Sequence, residues 1–215
     1  LIDATALQIP GVLDDRFFHN GELGITWQNS QPIFRVWAPT ARSVNLLVYA
    51  DGQTEQMARV AMQENIATGV WELAGDATWN RQYYLYEVDV FVRHTGKVER
   101  NLVTDPYTLS ASTDGKRSQI VNLNDADLMP EGWQALGKPA LDAPEDIVLY
   151  ELHVRDYSIT DERVPEALRG SYKAFTVEDS YGSVHLQQLA DAGLTHVHLL
   201  PVADCATIPE DRNAQ

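Results

Sequence analysis

The chain has 215 residues, enough for one large domain or for a small domain with part of another. Its 44% hydrophobic content, with five Trp and nine Tyr, belongs to a folded protein and excludes a disordered one. A formal charge of -15 argues against nucleic acid and anionic membrane as partners, because both need a basic face, and leaves neutral ligands such as sugars compatible.

No apolar run approaches the roughly 20 residues that cross a bilayer, so no membrane span is expected. The chain opens at Leu1 without an initiator Met or a signal-type apolar segment. Either a leader has been removed or the sequence begins inside a longer protein. The single cysteine, Cys205, has no internal disulfide partner. In an exported parent it pairs outside this chain or stays a free thiol.

The first elements read as strands. Ile33-Phe34-Arg35-Val36-Trp37-Ala38-Pro39 carries β-branched and aromatic residues up to a Pro that ends pairing. Val44, Leu46 and Val48 then alternate with Asn45, Leu47 and Tyr49, the period of a strand with one face on a core. Asp51-Gly52 signals a hairpin turn. Trp71-Glu72-Leu73 reads as a short strand. Tyr83 to Val92 reads as a longer one, with Tyr84, Tyr86, Val88 and Val90 on one face and Glu87 and Asp89 on the other. His94-Thr95-Gly96-Lys97 makes a turn, and Ile120-Val121-Asn122-Leu123 looks like a closing strand. Short strands at turn-punctuated spacing predict an all-β sandwich.

Breakers cluster between Leu128 and Pro144, marking a linker. The pattern then changes. Ile147-Val148-Leu149-Tyr150 is the apolar run of a strand buried on both faces of a parallel sheet. Val184, Leu186, Leu189 and Ala190 recur at helical spacing, with Ser183 as N-cap, Gly193 at C′ and Leu194 placed for a Schellman contact. Thr195 to Pro201 is a second strand. Strand, long crossover with helix, strand is a βαβ unit. The expected organisation is a lead-in over 1–21, the sandwich over 22–127, a linker over 128–144, and the start of a barrel over 145–215.

These stretches resemble a known family. Phe34-Arg35-Val36-Trp37-Ala38-Pro39-Thr40-Ala41 is similar to the opening motif of the β-sandwich module that precedes the barrel in isoamylases, glycogen branching enzymes and pullulanases. Thr104-Asp105-Pro106-Tyr107 resembles the segment closing that module. Tyr150 to Ser158 resembles the first barrel strand of pullulanases, and Gly193 to Val202 the second-strand motif of the α-amylase superfamily. Ile9 to Asp15 fits the lead-in. Their order and spacing match type I pullulanases, especially exported bacterial ones.

That resemblance implies a multidomain fold: an isoamylase N-terminal-like, starch-binding-type sandwich followed by the first βαβ unit of a truncated (β/α)8 barrel. It implies a retaining hydrolase cutting α-1,6-glucosidic links in pullulan, amylopectin and limit dextrins, with α-glucan as partner and a secreted or bacterial cell-surface location. The family's catalytic carboxylates follow its fourth, fifth and seventh barrel strands, so no catalytic residue is expected in this chain, and the chain alone is expected to be inactive. Its barrel strands would need the remainder of the same protein. The sequence requires no cofactor, and Ca2+ would belong to the parent. The alternatives are a non-catalytic glucan-binding or interaction module, or a portion of an isoamylase or branching enzyme.

Substrates bind at the C-terminal ends of barrel strands. Asp156, past the first strand, and Asp204, past the second, are therefore candidates for the cleft rim, against the favoured alternative that both organise loops. Glu151 and His153 share a strand face and read better as a satisfied buried pair than as a polar layer under the site. His196 and His198 lack a third ligand nearby, so structural roles are favoured over a metal. Asn124, Asp125 and Asp127 lack the pattern of a calcium hand and read as a solvated turn. Trp71, Trp79, Tyr83, Tyr84 and Tyr86 read mostly as core rather than as a sugar-stacking platform. Glucan-binding relatives carry a Lys in the strand equivalent to Tyr84–Val90 and a Trp after the next turn. This sequence has Tyr86-Glu87 and Val98-Glu99 there, so the sandwich is expected to support the barrel rather than bind glucan strongly.

Overall fold

The structure is a computed structural model that describes residues 9–52, 55–138, 140–200 and 209–210. The chain divides into two compact units, Leu1–Met129 with Ala206–Gln215, and Pro130–Cys205.

In the first unit a short helix, α1 (Pro10–Arg16), leads into β1 (Gly24–Gln28), β2 (Gln31–Trp37), β3 (Ala41–Tyr49), β4 (Gln56–Ala61), β5 (Gln63–Asn65), β6 (Val70–Ala74), β7 (Tyr83–Val92), β8 (Lys97–Val103) and β9 (Ser118–Gln119). They form two antiparallel sheets, ordered β1-β2-β6-β5 and β4-β3-β7-β8, with β9 paired to β7. Phe34, Val36 and Trp71 from the first sheet meet Val44, Leu46, Val48, Tyr84 and Tyr86 from the second in one buried cluster. Period-2 alternation supplies each of these side chains to the inner face, which is the β-sandwich expected. Asn29 and Ser30 both take positive φ in the two-residue turn between β1 and β2, the geometry that matches strand twist in a tight hairpin.

The Trp-Ala-Pro segment after β2 is a crossing point between strands. Ala38 N–H donates to the Gly69 carbonyl at 2.9 Å, and the Ala38 carbonyl accepts the Trp71 indole N–H at 3.0 Å. Gly69 has φ +67, and a Cβ there would stand 2.4 Å from Pro39 Cβ. Only glycine fits that approach.

Two strands differ from the sequence pattern. Asn45, Leu47 and Tyr49 on β3 are as buried as Val44, Leu46 and Val48. Their outward face is covered by long side chains: Arg59 and Glu87 lie over Asn45, and the Arg117 guanidinium stacks 3.7 Å from the Tyr49 ring. The closing strand lies earlier than expected, at Ser118–Gln119. Ile120 still bonds Arg81 and Gln82 backbones, but Arg81 has φ 71, which breaks the regular ladder there.

Asp105 is the polar centre of this core. It is 2% exposed, and its Oδ2 accepts the Tyr84 hydroxyl at 2.7 Å and the Tyr86 hydroxyl at 3.2 Å. Its Oδ1 accepts Tyr107 N–H at 2.8 Å, and its own N–H donates to Ser118 Oγ at 2.9 Å. Tyr84 packs edge-on against Phe34 at 5.2 Å and Tyr86 at 5.6 Å, so the carboxylate fixes rings that join both sheets.

The second unit contains β10 (Leu149–His153), α2 (Val154–Ser158), α3 (Tyr181–Asp191) and β11 (His196–Leu200). β10 and β11 pair in parallel, Leu149 opposite His196 through His153 opposite Leu200. Strand, helix, parallel strand is the predicted βαβ connectivity. The helix begins one turn earlier than expected: Ser180, not Ser183, is the N-cap, and its Oγ accepts Ser183 N–H at 3.1 Å. The C-terminus is as predicted. Gly193 has φ 105 and donates to Ala190 O at 3.0 Å, while Leu194 donates to Leu189 O at 2.9 Å, the paired bonds of a Schellman motif.

The crossover is tied down by Asp161, whose Oδ2 accepts Tyr181 N–H at 2.7 Å, and by Tyr157 stacked on Phe175 at 5.5 Å. Burial, and secondarily the neighbouring Tyr150, pushes the Tyr157 hydroxyl up to about 12. Contrary to the reading of a strand covered on both faces, Ile147, Val148 and Leu149 are exposed. A two-stranded sheet with one helix leaves a face and two edges uncovered.

Asp105→Ala leaves two buried tyrosine hydroxyls without an acceptor, and unfolding in urea should show a loss of about 3 kcal/mol with unchanged m-value. Asp105→Asn, which keeps an acceptor oxygen, should lose less. Burial first, and then the Asp105 charge, holds the Tyr84 and Tyr86 hydroxyls well above the ordinary tyrosine range. Their contribution is therefore complete below about pH 10, where unfolded tyrosine ionises, and is lost as pH rises beyond it. Unfolding measured from neutral to alkaline pH should show stability falling above that point, with a shallower fall in Tyr86→Phe.

Candidate functional site

Asp156 occupies the first turn of α2, directly after the C-terminal end of β10. Its N–H donates to His153 Nδ1 at 3.3 Å, and its carboxylate receives Arg155 at 3.2 Å. The side chain is 68% exposed, while its backbone N–H is the one capped by the His153 side chain. Asp204 and Cys205 lie outside the described residues.

Glu151 and His153 are not the buried pair expected from their shared face. Glu151 instead meets His198 across the parallel register, 3.0 Å from Oε2 to Nδ1, and both side chains are more than half exposed. His153 is taken by its capping bond, and His196 Nδ1 lies 2.9 Å from Thr195 Oγ1. Among the described residues no group of three His, Cys, Asp or Glu is placed to hold a metal ion.

The acidic turn after the sandwich has a structural task. Asp125 accepts Asn80 at 2.9 Å and Arg81 at 2.8 Å, and Asp127 pairs with the same guanidinium at 2.8 Å. Arg81 sits in the positive-φ turn before β7, so its side chain fastens the segment leaving the sandwich.

The aromatic cluster divides as predicted. Trp71, Tyr84 and Tyr86 are buried, and Trp79 packs against the same core. On the outer face of the second sheet, Glu87 is engaged by Arg59 at 2.6 Å and Asn45 at 3.2 Å, and Asp89 by Arg100 at 2.9 Å. The Arg100 hydrogen bond holds the Asp89 carboxyl below its usual range. Val98 and Glu99 lie on β8, opposite Phe91 and Val90 of β7.

A second surface escaped the sequence reading. The outer face of the first sheet carries Arg35, with Nε on Glu72 and NH1 on Thr26 Oγ1 at 2.9 Å. Around this pair lies a trough of about 550 Å³ whose polar wall includes His19, Gln63, Asn65 and Thr68. His19 also borders a hollow of about 310 Å³ formed by Asp14, Phe17, Phe18, Trp37 and Tyr107. The Trp37 indole N–H is shared between the Phe17 and Thr68 carbonyls, both at 3.0 Å, which seats the lead-in on the sheet. His19 Nε2 is buried without a hydrogen-bond partner. The lead-in residues follow no strand or helix period, so only the fold brings them beside Arg35.

Comparison with known proteins accounts for this arrangement of units. Residues 22–108 match carbohydrate-binding module 48, the isoamylase N-terminal domain. The chain is 42% identical to the chloroplastic pullulanase 1 of Arabidopsis thaliana over 214 residues, covering 99% of this chain and 22% of that protein. It is 40% identical to a Klebsiella pneumoniae pullulanase over 217 residues, covering 98% and 20%. The crystal structure of Klebsiella pneumoniae pullulanase complexed with maltotriose superposes with a TM-score of 0.87 at 39% identity, over 94% of this chain and 20% of that one. The chain thus spans about a fifth of the length of these relatives. In sequence and fold the chain is similar to the matched fifth of the pullulanases, and its residues 22–108 match carbohydrate-binding module 48.

Proposed function

We infer that this chain is part of an endo-acting debranching glycoside hydrolase that cleaves α-1,6-glucosidic links in pullulan, amylopectin and limit dextrins. The observation that carries the reading is the identity of 42% and 40% to two pullulanases, which runs through both units rather than through the sandwich alone. A shared carbohydrate-binding module would leave residues 130–200 unmatched.

On this reading β10 and β11 are the first two strands of a (β/α)8 barrel. Their parallel pairing, with α3 in the connection between them, supports it, as do the exposed flanks of β10, which adjoining barrel elements would cover. Asp156, at the C-terminal end of β10, then stands at the cleft rim, with Asp204 as the corresponding residue after β11. Retaining cleavage needs two carboxyl groups about 5 Å apart, one attacking the anomeric carbon and one protonating the leaving oxygen. Those groups are assigned to the part of the relatives' length that this chain does not cover. The sandwich is assigned a supporting role toward the barrel, with α-glucan as the ligand of the whole. A secreted or cell-surface location is proposed on the likeness of the motifs to exported bacterial enzymes, although the relative at 42% identity is a chloroplastic one.

The test uses the longer enzyme that contains this segment. It should release reducing sugar from pullulan, leave linear amylose intact, and give a first product with retained anomeric configuration by NMR. The 215-residue polypeptide should release none. Cleavage of amylose, or formation rather than loss of branches, would overturn the assignment.

A further inference from the structure

We propose that the outer face of the first sheet is a surface subsite for a short α-1,4-linked glucan chain. The aromatic hollow at Phe18, Trp37 and Tyr107 would take one sugar, and the polar trough at Arg35 and Glu72 the next. This rests on the debranching reading for the identity of the ligand and adds a site to it.

The two cavities have the chemistry that a glucan needs on its two sides. A pyranose has an apolar face of axial C–H bonds and a rim of equatorial hydroxyls. The 310 Å³ hollow presents aromatic surface open to solvent: Phe18 is 70% exposed and Tyr107 43%. Rings gathered in one hollow, unlike singly scattered ones, mark a surface suited to binding. The adjoining 550 Å³ trough presents planar polar groups, the guanidinium of Arg35, the carboxylate of Glu72 and the amides of Gln63 and Asn65. Both volumes lie in the range of small-ligand sites.

The junction between them gives the strongest indication. His19 borders both cavities, and its Nε2 is buried with no hydrogen-bond partner. An orphaned buried polar atom is costly, and a turn of the half-buried His19 ring toward the junction would let a ligand hydroxyl satisfy it. Arg35 is pre-oriented by Glu72 and Thr26, so binding would not have to order a long side chain. The ligand is neutral, which suits a chain of charge -15 where an anionic ligand would be repelled. The outer face of the second sheet, by contrast, has its Glu87 and Asp89 carboxylates already committed to Arg59 and Arg100.

The full chain, labelled with ¹⁵N, is titrated with maltohexaose and, in parallel, with cellohexaose. Maltohexaose should shift amides around residues 14–19, 35, 63–72 and 107 together with the Trp37 indole, and the shifts should saturate. Phe18→Ala removes an exposed ring, leaves the core untouched and should weaken binding about tenfold. Gln63→Ala, also at the surface, should weaken it about threefold. Circular dichroism confirms that both variants are folded. Absence of shifts on this face, equal response to cellohexaose, or full affinity in Phe18→Ala overturns the proposal. If binding fails while the longer enzyme still debranches pullulan, only the subsite falls. If binding holds while debranching fails, the reading it rests on falls instead.

Discussion

The first unit is organised by one carboxylate. Asp105 stands after β8, far in sequence from the hydroxyls it accepts on β7, and it is held in turn by Ser118 at the start of β9. A buried carboxylate is tolerated only when both its oxygens are hydrogen-bonded, and here two tyrosine hydroxyls meet Oδ2 and the Tyr107 amide meets Oδ1. The tyrosines gain a fixed rotamer from the same bonds, and the Tyr84 ring, packed on Tyr86, carries the contact with Phe34 across the sandwich. The Asp-Pro-Tyr segment is thus a lock on the inter-sheet core. It also places Tyr107 at the rim of the aromatic hollow, beside Gly24, where a Cβ would stand 2.8 Å from Tyr107 Cβ.

The strands were legible wherever burial enforces a period. β2, β6 and β7 follow the alternation of their apolar residues, because a one-residue slip would turn each inner face outward. β3 shows the limit of that rule: Leu47 and Tyr49 looked like outward residues, yet are covered by Arg59, Arg117 and their neighbours, whose long stems are invisible to a hydropathy period. The helix end at Gly193 was readable because a Schellman motif is local in sequence. The helix start was not, since Ser180 and Ser183 are both good caps, and the choice fell to Asp161, which binds the Tyr181 amide from twenty positions away. Glu151 failed for the same reason. Its partner, His198, belongs to a strand forty-seven residues on and is set by the parallel register.

The two units stand differently with respect to their own apolar surface. The sandwich closes its inner faces on a single core, and its outer carboxylates on the second sheet are paired. In the second unit the strands keep parallel register and a well-capped helix while Ile147, Val148 and Leu149 stay open to solvent. Hydrogen-bonded topology and helix capping are local properties and persist without a complete core. Burial of both faces of a parallel sheet is a collective property that two strands cannot provide.

That contrast bears on where a glucan would meet the sandwich. On β7, Tyr86 is wholly buried, and Glu87 is paired with Arg59 and accepts a hydrogen bond from the Asn45 amide. Opening that face to a sugar would break an ion pair and strip Asn45 of its acceptor. On the first sheet the order is reversed. The Arg35–Glu72 pair lies at the surface, Phe18 and Tyr107 are already exposed, and the one buried atom without a partner, among those described beside the trough, belongs to His19. Binding there would complete hydrogen bonding instead of disrupting it. The lead-in segment thereby acquires a physical role: by bonding Phe17 to the Trp37 indole it carries Phe18 and His19 to the edge of a sheet that would otherwise present only a polar strip.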